Sequence, residues 1–569
     1  MHKKIISIYI LITFFIGVSA IFCYWLVESE DRYIFVTGGH ILTMDADNTE
    51  VSAMLIKNNK IYKVWQEPYD SGEIPDGASW IDLKGKTVLP GIIDAHGHFP
   101  GEGLSAVALD LNSPPIGKVK SIEDILQSLK AVAEKTKKGE WIRGYGYDDT
   151  EILEKRHITR KELDAISTEH PIFIFHISAH MAVVNSFALD MLGLSSTSLA
   201  NEGGEYHLDE NGELSGLLIE TAQNEAKKLA FKFSPLESWD IVQKATNAYF
   251  KQGVTTAQNG LLEPDKYNII SWLGKLGLYD IRLVVWPSSE TQKKIISGEL
   301  SEKKQDEAWF KIGAVKLVSD GSIQGYTGYL SHPYHQHPDG KPDDYRGYPI
   351  QAKETLIQEV LYFHKNGYQL AIHSNGDAAI DNVIEAIELA QKEYPNNDSR
   401  TVMVHSQMVR ADQLLKFKEL GITPSYFNTH VYYWGERHKE LFIGQNRAES
   451  ISPMYSTQRL GIPFSLHSDS PVVPMRPWLS AWNAVSRETY QGDILGEKER
   501  IEPIAALRAI TINAAWQQFV EDDRGSLEVG KLADFIIVEK NPLNNNESLK
   551  NPNVLSTWID GVCVYEKAQ

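Results

Sequence analysis

Short runs rich in Val and Ile recur along the middle of the chain, separated by segments of helical period and length, and this alternation constrains the fold most. The runs are "TVLPGIID", "GVTTAQ", "IRLVVW", "GAVKLV", "YQLAIH", "TVMVH", "GITPSYF" and "IPFSLH", eight in all. Such alternation is the pattern of parallel β/α units. Eight units predict an α/β chain closed into a (β/α)8 TIM barrel, in which reactive groups sit at the carboxyl ends of the strands. Between the first and second runs lies an insertion at about 100–250, with strands of its own in "EWIRGYGYDD" and "PIFIFHISAH".

The two ends of the chain are written in another style. "YIFVTGGHILTMD", "VSAMLIKNNKIYKVW" and "ASWIDLKGKTVLP" near the start, and "GSLEVGKLADFIIVEKNPL" and "VLSTWIDGVCVYEK" near the end, show period-two apolar patterning broken by Gly, Asn and Asp. These are short strands with turns. They predict a composite β-sandwich domain from residues 33–86 plus 523–569, leaving 87–522 for the barrel.

Residues 1–32 read differently again. Lys3 and Lys4 precede an uncharged run from Ile5 to Val27, and acidic residues follow it. As a helix that run would extend roughly 35 Å, enough to cross a bilayer core. By the positive-inside rule the bulk of the chain would lie outside the cytoplasm. "VSA" at Val18–Ala20 resembles a signal-cleavage site, the alternative being secretion after cleavage. The chain stays apolar through "IFCYWLV" beyond that point, which favours a retained anchor.

The net charge of -19 argues against a nucleic-acid partner, since phosphate backbones require a basic face. The two cysteines, Cys23 and Cys563, stand near opposite ends and supply neither a disulfide framework nor a cysteine-based zinc site. Any metal must be held by His, Asp, Glu or a rarer donor.

Such donors fall where a barrel would gather them. His96 and His98 follow the first run in "LPGIIDAHGHF"; Lys316 lies in "GAVKLVSDG"; His373 ends the fifth run, His405 the sixth, and Asp469 follows the eighth in "FSLHSDSPV". Imidazole and carboxylate are the donors a borderline divalent ion such as zinc accepts. One strand-end histidine is more often a hydrogen-bonded core residue than a ligand. Four histidines and an aspartate at the same end of the predicted strands point to a metal centre.

"LPGIIDAHGH", with "HSNGDAAID", "VHSQMV", "SDSPV" and "GSLEVGKLADFIIVEKNPL", resembles the amidohydrolase superfamily, and within it the amidohydrolase 3 family, which includes N-substituted formamide deformylases. The resemblance runs from about Tyr33 to the C-terminus. It implies one or two divalent ions, zinc by preference. His96 and His98 would hold the more buried ion, and His373 and His405 the more exposed one. Asp469 would be both ligand and proton carrier, and a carboxylated Lys316 would bridge the two metals. It also implies that the segment containing His180, "HISAHMAVVNSFALDML", reaches over the mouth of the site, making His180 a substrate-binding residue. His467, two residues before Asp469, is expected either to contact substrate or to support a ligand.

The expected activity is metal-dependent hydrolysis of a carbon–nitrogen bond in a small N-acyl or N-formyl substrate. A lactonase or esterase, or a cyclic-amide or deaminase-type hydrolase, would use the same ligands. A non-enzymatic receptor on the same scaffold is disfavoured by the intact donor set. The implied partners are a small-molecule substrate, the membrane through the N-terminal helix, and a second copy of the chain in a homodimer.

Overall fold

A computed structural model of the chain describes residues 31–66, 68–275, 277–301, 308–338 and 340–568. The Ile5–Val27 run lies outside these residues. Among the described residues no helix is long and apolar enough to cross a membrane.

The chain opens with strands β1 (Tyr33–Leu42), β2 (Glu50–Lys57), β3 (Lys60–Trp65), β4 (Ser79–Asp82) and β5 (Thr87–Pro90). After one glycine, β6 (Ile92–Ile93) begins the central region. The predicted first strand "TVLPGIID" is therefore two strands with different partners. Its front half pairs antiparallel with the far end of the chain, Val88 opposite Ile537, whereas Ile92 and Ile93 run parallel to the next central strand.

The insertion carries β7 (Leu109–Asp110), β8 (Ile142–Tyr147), β9 (Ile172–His176), β10 (Met181–Val184), β11 (Gly204–Leu208) and β12 (Leu214–Glu220). They form one sheet in the order β11-β12-β10-β9-β8-β7. Apolar residues cover both faces, Leu111, Ile142 and Ile174 on one and Phe173, Ala182 and Leu218 on the other. The insertion thus has a core of its own.

Central strands follow: β13 (Val254–Leu262), β14 (Arg282–Pro287), β15 (Phe310–Ile312), β16 (Val315–Val318), β17 (Leu370–Ser374), β18 (Thr401–His405), β19 (Ile422–Tyr426) and β20 (Ser465–Leu466). They make two parallel sheets, β15-β14-β13-β6 and β16-β17-β18-β19-β20. A parallel bridge from Ser288 to Lys316 joins the sheets on one side. On the other, Asp469 N–H donates to His96 O at 3.2 Å and His98 N–H to Ser470 O at 2.7 Å. Strands β17, β18 and β19 are buried at every residue, as the near-continuous apolar runs require of parallel strands covered on both faces.

The last strands, β21 (Phe535–Val538), β22 (Val554–Ile559) and β23 (Val562–Glu566), return to the first sheet, giving the order β23-β22-β21-β5-β1-β2-β3 with β4 beside β1. Both ends of the chain build this sheet.

One buried ion cluster ties the end sheet to the central strands. Arg282 on β14 donates to both oxygens of Asp534, from Nε at 2.6 Å and Nη2 at 2.9 Å, and Nη2 also reaches Asp560 at 2.7 Å. Burial opposes ionisation of Asp534, but the Arg282 charge wins and holds its carboxyl below the ordinary range. Removing one partner of such a pair strands a buried charge, so Asp534→Ala should cost about 3–5 kcal/mol in urea unfolding. Because the folded carboxyl is more acidic than the unfolded one, its contribution is present above the unfolded value. It is lost as pH falls through the folded one, so wild-type stability should decline below about pH 4 and decline less steeply in Asp534→Ala.

Candidate metal centre

The predicted histidines and Asp469 stand at or just beyond the carboxyl ends of central strands, Lys316 stands within β16, and their mutual distances are short. Asp469 Oδ1 lies 3.2 Å from His98 Nε2 and 3.5 Å from His96 Nε2, and Oδ2 lies 3.9 Å from His405 Nε2. Lys316 Nζ is 3.4 Å from His96 Nε2, and His405 Nε2 is 3.0 Å from His373 Nδ1. His96, His98 and Asp469 each offer a ligand atom within 4.8 Å of the others. All six residues the sequence singled out as ligands are brought together.

The backbone is bent to achieve this. Asp469 has φ 53°, His405 φ 71° and Ser406 φ 46°. Non-glycine residues adopt this region at a cost, and such strain collects at functional sites where surrounding packing enforces it.

Ring nitrogens are assigned by what they touch. His96 Nδ1 donates to Gln258 Oε1 at 2.9 Å, leaving its Nε2 lone pair towards Asp469 and Lys316. His373 Nε2 faces the Gly321 carbonyl at 3.1 Å, and a carbonyl only accepts, so the lone pair is on Nδ1. His467 Nδ1 meets Ser425 Oγ at 2.9 Å and its Nε2 meets His405 Nδ1 at 3.1 Å. His405 Nε2 is thereby turned towards His373 Nδ1. Both nitrogens of His467 are engaged, which places it behind His405.

Electrostatics favour a cation among these groups. Burial drives His96, His373 and His405 well below the usual imidazole range, so they are neutral, the form that ligates. Burial also lowers Lys316 to about 7. Burial opposes ionisation of Asp469, yet a hydrogen bond from His98 and the nearby His405 and His96 rings hold it well below the carboxylate range. Its buried Oδ1 lies 3.2 Å from His98 Nε2 and 3.5 Å from His96 Nε2. An ionised oxygen set among imidazole nitrogens fits a divalent metal.

Neighbours that carry no ligand signal shape the site. Trp286, at the end of "IRLVVW", stacks on His96 with ring centroids 5.3 Å apart and planes at 18°. Gln258, at the end of "GVTTAQ", accepts from Gly97 N–H as well as from His96. Trp286 stands near the end of β14, whereas Gln258 lies in the middle of β13. Buried Asp320 accepts backbone N–H bonds from Tyr329, Asn375 and Gly376. His430, on helix α1 (His430–Arg437), packs on Phe427 at 4.1 Å between ring centroids. His180 adjoins the site, its ring centroid 5.5 Å from that of His373.

A second group of donors, Asp148, Asp149 and His176, lies in the insertion. Arg437 donates to Asp148 at 2.6 Å, with Thr150 on the other oxygen, so that carboxylate is already matched by a cation.

Three comparisons bear on the chain. The family model described as "Amidohydrolase family" matches residues 79–565. The N-substituted formamide deformylase of Arthrobacter pascens is 27% identical over 557 residues, covering 95% of this chain and 99% of that protein. Protein LONG AFTER FAR-RED 3 of Arabidopsis thaliana is 28% identical over 544 residues, covering 94% and 91% respectively. Among solved structures, an uncharacterized metal-dependent hydrolase from Pyrococcus horikoshii OT3 matches with a TM-score of 0.72 at 26% identity, covering 91% of this chain and 99% of that one.

The tightest constraint on a ligand is glycine. A Cβ at Gly260 would stand 2.2 Å from His96 Cε1 and 2.5 Å from its Nδ1. Gly260→Ala should therefore displace the ring and weaken metal binding roughly 10–100-fold, read by elemental analysis after dialysis against buffered zinc, with circular dichroism unchanged.

Proposed function

The chain belongs to the amidohydrolase family of hydrolases acting on carbon–nitrogen bonds, and from that premise we propose that it hydrolyses small N-substituted formamides or related N-acyl amines. The observation that carries the reading is the donor set: His96, His373 and His405, kept neutral by burial, together with His98 around a buried, ionised Asp469. The extended similarity to a formamide deformylase supports the substrate class.

In this reading the two parallel sheets form a (β/α)8 barrel with the site at its mouth. His96, His98 and Asp469 would hold one zinc ion and His373 and His405 a second, with Lys316 between them. Carboxylation of the Lys316 amine by carbon dioxide, with loss of a proton, would make it an anionic oxygen donor able to help hold the metal. A bound divalent cation supplies Lewis acidity to the carbonyl and acidifies the attacking water.

The chain's own groups do the rest. The Asp469 carboxylate takes a proton from water as the oxygen adds to the substrate carbonyl carbon. It returns that proton to the amide nitrogen as the carbon–nitrogen bond breaks, releasing a carboxylic acid and an amine. His467 keeps His405 turned inward, Gln258 and Trp286 fix His96, and His180 contacts the substrate at the mouth.

Zinc-loaded protein should release formate from N-alkyl and N-benzyl formamides and leave simple lactones and aminopurines intact. Chelation should abolish turnover and zinc should restore it. Asp469→Asn should lower kcat at least ~100-fold, the scale of a lost general base. Lactone hydrolysis without amide hydrolysis would reject the reading.

We further propose that Ile5–Val27 anchors the chain with its catalytic part outside the cytoplasm, a reading supported by the lysines before the run and the acids after it. The full chain should fractionate with membranes and a chain starting at Asp31 should not.

A further inference from the structure

One face of the first sheet is aromatic and open. Residues two apart on a strand share a face, and along β1 Tyr33 and Phe35 lie opposite the core that Ile34 and Val36 join. Phe35 is fully buried, and rings bury it: Trp65, Tyr69 and Trp80 meet it edge-on, with centroids 5.7, 4.7 and 4.7 Å away. Trp80 reaches it from β4, where it is the register partner of Phe35. Tyr33 meets Tyr62 of β3 at 6.4 Å between centroids. The outermost rings remain open to solvent, Trp80 at 56% and Tyr62 at 54%.

The charges on this face are matched in place. Lys57 Nζ lies 5.7 Å from the Tyr33 ring centroid, 5.9 Å from that of Tyr62 and 2.7 Å from Asp31 Oδ2. Lys63 Nζ lies 4.9 Å from the Trp65 ring centroid and 2.9 Å from Glu73 Oε2, which also accepts from Trp65 Nε1 at 2.7 Å. The face thus offers apolar rings with polar tips among paired charges, the mixture that suits the headgroup layer of a bilayer. A net charge of -19 disfavours an anionic surface, which leaves zwitterionic lipid.

The place of this face in the chain points to the same occupant. The Ile5–Val27 run ends four residues before Asp31, and Asp31 is already fixed to the sheet, by the Lys57 ion pair and by Asn58 Nδ2 at 3.2 Å. Arg32 N–H beside it donates to Asn58 Oδ1 at 3.0 Å. Four residues span at most roughly 14 Å. A run that crosses a bilayer would therefore deliver the Tyr33, Lys57 and Tyr62 edge of the face to the headgroup layer or its rim. Alone, a face of this size holds a protein weakly; so short a tether keeps it at high effective concentration.

We propose that this aromatic face lies on the zwitterionic headgroup layer of the membrane that Ile5–Val27 crosses, so that the catalytic part is docked in one orientation and does not swing on its tether. This rests on the anchor reading above.

The test reconstitutes the full chain in phosphatidylcholine vesicles whose acyl chains are either unmodified or brominated near the headgroup. The difference between wild type and Trp80→Phe isolates Trp80 from the other tryptophans, Trp25 included. Trp80 emission should be blue-shifted in both lipids and quenched only in the brominated one. As a second readout, Tyr62→Cys is labelled with a membrane-impermeant maleimide, the exposed Cys563 of β23 serving as internal reference. The ratio of labelling at position 62 to labelling at Cys563 should fall in vesicles, compared with the same variant in a chain starting at Asp31 without lipid. Thermal midpoints near that of wild type show that both variants are folded. Blue-shifted emission without quenching means that a second copy covers the face; water-like emission, or an unchanged labelling ratio, means that nothing does. Each of these overturns the docking and leaves the anchor standing. A full chain that fails to float with the vesicles overturns both.

Discussion

A buried carboxylate that stays ionised has to be met by positive charge, and this requirement on Asp469 organises the molecule. Desolvation works against its charge, and the groups around it are imidazoles that burial keeps neutral. An isolated charge in such a place costs several kcal/mol. Donors from β6, β16, β17, β18 and β20 converge there because parallel strands all end on one side. The strained backbone at His405, Ser406 and Asp469 is part of the same arrangement. What holds those residues in place is the packing of the strands beneath them, which are buried throughout.

The insertion brings His180 beside His373 without disturbing this floor. Its sheet has apolar cores on both faces, so its loops can be positioned rigidly over the mouth. Lys341 reaches Glu205 on β11 at 2.8 Å, and Arg437 reaches Asp148 at 2.6 Å beyond β8, so two segments of the central region grip the insertion from different sides.

Much of this was legible in the sequence. The eight apolar runs mark central strands because strands covered on both faces must be apolar throughout. The donors could be named because imidazole and carboxylate at strand ends have few other uses in that number. Gly91 was not legible as a boundary: "TVLPGIID" is apolar on both sides of it, and only the antiparallel partner Ile537 shows that the run divides. The added strand β15 follows from the Gly313–Ala314 break, which separates it from β16 and which patterning alone does not reveal. Gln258 and Trp286 escaped notice because they act through placement: neither is a ligand type in a ligand position. The N-terminal run stands outside the described residues.

The pairing of β5 with β21 has a consequence for biosynthesis. Val88 leaves the ribosome early but finds Ile537 only when the final segment emerges, and until then Arg282 is without Asp534 and Asp560. Domains commonly fold as they are made, N-terminal ones first. Here the opening strands must wait, so truncated translation products would expose an unpaired strand edge and an uncompensated guanidinium, both of which quality-control machinery is equipped to notice.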